Sequence, residues 1–122
     1  MKRELQIATL PVVALRGLVI FPKMMLHFDI GRKKSAAALN AAMEGEREIF
    51  LVAQKDLQED DPKQSDLYAC GVVASVRQVL RLPGTDNIRV VVEGRYRAGL
   101  IELTQDDPFL CGIVREKRTV RA

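Results

Sequence analysis

Ile49, Phe50, Leu51, Val52 and Ala53 run for five residues without a polar position. No other segment constrains the fold as strongly. A strand with one wet face alternates apolar and polar residues, so a stretch apolar on both faces belongs at the centre of a sheet and needs cover on each side. The chain therefore calls for layers around a buried strand. Its 122 residues suit one domain, enough to bury roughly two-thirds of the unfolded surface. A content of 48% hydrophobic and 29% charged residues favours neither a disordered nor a fibrous class.

The rest of the pattern is mostly strand. Leu10 to Leu15 is a short apolar run ended by Arg16-Gly17, as in a buried strand followed by a turn. Leu26, Phe28 and Ile30 alternate with Met25, His27 and Asp29 in a half-buried second strand that Gly31 ends. Val72, Ala74 and Val76 define one face of a later strand, and the polar Gln78 interrupts the series before Leu80 and Leu82, which predicts a bulge or strand end there. Pro83-Gly84-Thr85-Asp86-Asn87 reads as a turn into a returning strand, Ile88 to Glu93. Gly94 is expected to allow a further turn, and Asp106-Asp107-Pro108 another before a last strand from Phe109 to about Arg115. One helix fits residues 32–44, where Ala36, Leu39 and Met43 share a face and Gly45 offers a stop. The expected class is α+β, mainly β: six to seven short strands and one main helix, in a folded or partly closed sheet.

Catalytic signatures are missing. None of the eight glycines stands in a GxxxxGK[ST] phosphate loop, and Ser35, Ser65 and Ser75 lie outside any G-x-S-x-G elbow. Ser35 reads more simply as a helix-start residue. His27 is the only histidine, so a Ser-His-Asp triad or a zinc site would rest on that single side chain. Glu59, Asp60 and Asp61 sit in a polar loop spanning 55–66 and lack the glycine and distal carboxylate of a calcium loop. No metal and no cofactor are expected. Cys70 and Cys111 show no CxxC spacing and are read as small hydrophobes inside apolar strands. No signal peptide is visible, and no segment approaches the ~18 or more uncharged apolar residues of a membrane span. The setting expected is reducing and cytoplasmic, with no membrane partner.

A net charge of +3 permits nucleic-acid binding without indicating it. Arg115, Lys117, Arg118 and Arg121 fit either a solvated last strand or a phosphate-binding strip.

Two sets of residues are candidates for recognition. Pro22 breaks any helix and forbids a central-strand hydrogen bond, so Leu18 to Met24 should be a connection that displays apolar side chains. Ile20, Phe21, Pro22 and Met24 form the first set, joined by Leu80, Leu82 and Pro83 if the hairpin tip projects past the core. Arg32, Lys33 and Lys34 place cations at the start of the helix, where the backbone dipole is already positive, at a cost of about a few tenths of a kcal/mol each. Lys33 and Lys34 are therefore candidates for contacting acidic segments.

The order Leu10-Pro11-Val12-Val13-Ala14-Leu15-Arg16, Phe21-Pro22-Lys23-Met24, Gly31-Arg32-Lys33-Lys34-Ser35, Leu51-Val52-Ala53-Gln54-Lys55, Gly71 to Val76 and Val91 to Ala98 resembles the N-terminal domain of ATP-dependent Lon proteases. The resemblance covers about residues 7–118 and implies a PUA-like pseudobarrel, with 1–118 as the domain and 119–122 as the start of a linker. It implies a non-catalytic role in capturing unfolded, damaged or degron-bearing proteins for a homo-hexameric serine protease. ATP and magnesium would serve only the ATPase region of such a parent. A PUA-like fold also admits RNA binding by analogy, and a purely structural role in subunit contacts is the third possibility.

Overall fold

The computed structural model describes residues 7–15, 22–55, 58, 63–84, 87–105 and 108–117. Among these residues, six strands and one α-helix follow in the order β1 (Ile7–Leu15), β2 (Met25–Ile30), α1 (Lys33–Glu44), β3 (Glu48–Ala53), β4 (Cys70–Arg81), β5 (Ile88–Gln105) and β6 (Cys111–Glu116), with a 3-10 turn at Gln64–Asp66. They form one sheet in the order β2-β5-β4-β3-β1-β6, and β6 also bonds to β5. Five strands thus close on themselves, with β2 attached outside the closure. This is the mainly β, helix-bearing pseudobarrel that the pattern and the resemblance imply.

β3 occupies the place its composition demands. It pairs parallel to β1 and antiparallel to β4, and its four central residues are buried. Its alternate side chains feed two cores. Ile49 and Leu51 join Val13, Leu39, Ala42, Val90 and Val92 in one; Phe50 and Val52 join Val12, Ala14, Val73, Ala98 and Val114 in the other. Each face of β3 has its own apolar cover, α1 lying in the first core and β6 in the second.

β4 and β5 are not short strands. The turn expected at Gly94 is absent: β5 runs 18 residues through it. The reason is pairing, because the same strand must serve three neighbours. Residues 88–93 lie beside β2, while 98–105 lie beside β6 on the same edge, and β4 runs along the other. Register shifts at Val73/Ala74 and Val76/Gln78 let the β4–β5 ribbon bend from one core to the other. The second coincides with the polar Gln78. Gly71 sits where β4 crosses β3: a Cβ there would run into the Leu51 carbonyl oxygen and come within 2.8 Å of the Phe50 ring.

The helix starts without help from its first residues. Arg32 is the N-cap and makes no side-chain cap bond, and Ser35 lies inside the first turn rather than at the cap. What holds α1 is burial of Ala38, Leu39 and Ala42 against the sheet. The Gly45 and Arg47 N–H groups both donate to the Ala42 carbonyl, at 3.1 and 2.9 Å. Arg47, at φ 63°, turns the chain into β3.

No helix among the described residues is long and apolar enough to cross a membrane. The acidic residues Glu59, Asp60 and Asp61 lie outside the described residues.

Candidate functional site

The entry to β2 is a built corner. Pro22 is half-buried, and Lys23 takes the left-handed conformation at φ 67°, which is uncommon for a residue with a side chain. Two backbone bonds hold it there: Lys23 N–H donates to the Gly94 carbonyl at 2.7 Å, and Gly94 N–H donates to the Met24 carbonyl at 2.9 Å. Gly94 is therefore an anchor for this corner. The corner turns two flexible, polarizable side chains outward, Met24 39% exposed and Met25 54% exposed. Such residues adapt to differently shaped partners. Ile20 and Phe21 lie outside the described residues.

The other candidates are not gathered there. The register across β2, β5 and β4 places Met25, Glu93 and Ser75 in one row, His27, Val91 and Gln78 in the next, and Asp29, Arg89 and Leu80 in a third. Leu80, 43% exposed, shares this outer face with Met25 but stands two strands and four residues away, roughly 16 Å from strand spacing and rise. Ion pairs fill the space between. Arg89 Nε donates to Asp29 Oδ1 at 2.9 Å, and Arg77 pairs with Glu93. The Arg89 guanidinium holds the Asp29 carboxyl below the usual carboxylate range, chiefly through that hydrogen bond. Leu82 is half-buried and Pro83 exposed, beside a turn made by Gly84 at φ 76° and closed by a Leu82 N–H to Asn87 carbonyl bond of 3.2 Å. Lys33 is exposed and Lys34 half-buried. Both follow the far end of β2, about 20 Å from Met25 by strand rise. The seven sequence candidates among the described residues thus fall into three separate places.

A second apolar surface escaped the sequence reading. Tyr68 and Ile101 are 52% and 51% exposed, beside an open cavity of about 490 Å³ lined by Ala69, Gly99, Leu100, Ile101 and Lys117 among others. The signal was present in Leu100-Ile101, two adjacent apolar residues of which a strand can bury only one on a given face. Cys70 is exposed, not a buried hydrophobe. Lys117 Nζ donates to its Sγ at 2.8 Å. Cys111 is half-buried, and both thiols are free.

His27 is an exposed strand residue, and no three His, Cys, Asp or Glu side chains among the described residues cluster as metal ligands. The burial-raised group is Tyr96, whose hydroxyl titrates higher because desolvation, and then the nearby Glu48 and Glu116 carboxylates, oppose its ionisation.

Residues 9–120 match the family described as the ATP-dependent protease La (LON) substrate-binding domain. The chain belongs to this family. A Lon protease of Syntrophomonas wolfei is 45% identical over 109 residues, covering 89% of the chain and 13% of the relative. One from Heliobacterium modesticaldum is 44% identical over 110 residues, covering 90% and 13%. The chain thus spans about an eighth of the length of these Lon relatives. The solved N-terminal domain of a Mycobacterium avium complex Lon protease superposes with a TM-score of 0.70 at 20% identity, covering 94% of this chain and 56% of that one. A Lon N-terminal domain protein from Xanthomonas campestris gives 0.62 at 11% identity, covering 90% and 57%. At those identities the two structures speak for a shared Lon N-terminal fold alone.

Proposed function

We propose that this domain recruits unfolded or degron-bearing polypeptides to an ATP-dependent Lon protease and performs no chemistry itself. The observation that carries the reading is the β2 corner: in a member of a substrate-binding family, strained Lys23 presents exposed Met24 and Met25 at the one strand that stands outside the closed sheet. Burying one such side chain contributes about 1.5–3 kcal/mol at best, so each contact is weak. Useful capture then depends on several copies acting together in a parent ring, which raises the effective concentration of one client for the next site. ATP and its metal would act elsewhere in that parent.

The test is binding of reduced, carboxymethylated α-lactalbumin, which stays unfolded. Met24→Ser with Met25→Ser is expected to weaken binding about tenfold or more while the circular dichroism spectrum is unchanged. Because the contacts are apolar, the affinity of the unaltered domain should vary little between 50 and 200 mM salt. A steep salt dependence, as nucleic-acid binding shows, or unchanged binding by the folded double variant, contradicts the assignment.

A further inference from the structure

The backbone pattern of β2 contains more than its side chains suggest. Gly94 N–H bonds to the Met24 carbonyl, and the register places Met25 opposite Glu93 and Leu26 opposite Val92. Hydrogen-bonded pairs alternate along an antiparallel ladder, so Leu26, Phe28 and Ile30 direct their N–H and C=O groups toward β5. An independent bond agrees. Leu82 N–H donates to the Asn87 carbonyl on the β4 side, which assigns Asn87, Arg89 and Val91 to β4 and Ile88, Val90 and Val92 to β2. The N–H and C=O groups of Met25, His27 and Asp29 consequently point away from the sheet. No bond from these six groups to another described residue exists.

The contrast with β1 sharpens the point. β6 pairs with β1 only as far as Pro11, and the Val12 N–H donates to the Leu110 carbonyl at 2.8 Å just past it; from Ala14 on, no described strand runs along the side of β1 away from β3. There Arg32 Nη2 donates to the Ala14 carbonyl at 2.7 Å, and Gln54 N–H bonding to the Leu15 carbonyl shows that Ala14 faces the other way, off the β3 ladder. That edge is guarded by a cation. β2 has no comparable guard among the described residues, and it carries no proline, bulge or inward-pointing charge, the usual devices that blunt an exposed edge.

We infer that β2 binds an extended segment of a client polypeptide by strand addition, with backbone groups of Met25, His27 and Asp29 forming the new ladder and Met24 and Met25 gripping side chains at its start. The inference deepens the recruitment reading and rests on it. An added strand bonds through main-chain groups that every residue possesses, so it accepts many sequences. A second copy of this chain fits less well. Antiparallel self-pairing centred on His27 would stack His27 on His27 and set Met25 against Asp29. Three outward-facing residues also bury far less than the ~1,200 Å² of a stable interface. An unfolded segment needs no such area when several copies hold it.

The experiment is amide hydrogen exchange of the 122-residue chain, residue by residue, with and without saturating reduced, carboxymethylated α-lactalbumin. Leu26, Phe28 and Ile30 should be protected in both states, while Met25, His27 and Asp29 should exchange freely alone and slow about tenfold or more with client bound, as newly bonded amides do. His27→Pro removes an outward donor without touching the β5 ladder, and should weaken client binding about three- to tenfold. Should that variant not fold, the exchange data on the unaltered chain decide alone. Client binding that leaves the three amides unprotected overturns strand addition and spares recruitment. Absence of client binding overturns both.

Discussion

The two ends of this sheet are finished in opposite ways. At one end β6 bonds to β1 and to β5 at once, so the strands around the Phe50 core close on one another. At the other, β5 is the one strand among the described residues that β2 bonds to, and the chain enters β2 through a left-handed lysine with two methionines turned to solvent. Closure is how β proteins avoid unwanted association. On the proposed reading, a domain that closes five strands and leaves the sixth outside separates the part that holds the fold from the part offered to client chains.

That division can be broken by mutation. Phe50 has no exposed surface and lies in the closed core, so Phe50→Ala should cost about 3–5 kcal/mol and unfold both halves together. Ile30, 3% exposed on β2, should cost about 2–3 kcal/mol as alanine, because a strand bonded on one side relaxes more readily into the space left. Urea denaturation measures both. A larger loss from Ile30→Ala would place the structural burden on the open strand and erase the distinction.

The smallest effect concerns the outer face of the open end. The Asp29 carboxyl has a lowered pKa from its bond to Arg89, so its folded value lies below its unfolded one. The stabilisation is present above the unfolded pKa and is lost as pH falls through the folded value. Asp29→Asn should therefore be slightly less stable than the parent at pH 7, with the gap closing as pH falls below the ordinary carboxylate range. Both groups are exposed and the pair is screened, so raising the salt should also shrink the gap at pH 7. A gap that widens on acidification contradicts the pairing.

Much of the closed half was readable in the residues. The apolar run at Ile49–Ala53 announced a strand covered on both faces, and Gln78 marked the β4 irregularity, because burial and alternation write themselves locally. Gly94 misled for a physical reason. Glycine permits a turn without requiring one, and its use here, anchoring Lys23 and Met24 from another strand, is a contact between residues some seventy positions apart that no local pattern encodes. The same holds for Cys70, whose neighbours look apolar in sequence while its strand end stands in solvent beside Lys117. At the open end, Pro22 and Met24 stood out in sequence, but the outward direction of the β2 backbone emerged only from the register.

Site-specific photocrosslinking tests the division most directly. Benzoylphenylalanine placed singly at Met25 or at Ile101 compares two comparably exposed apolar positions, one on the open strand and one beside the closed end. With carboxymethylated α-lactalbumin as client, strong crosslinks from position 25 and background from 101 are expected. Crosslinks from 101 that equal or exceed those from 25 would contradict the claim that the strand left outside the closure is the one that meets the client.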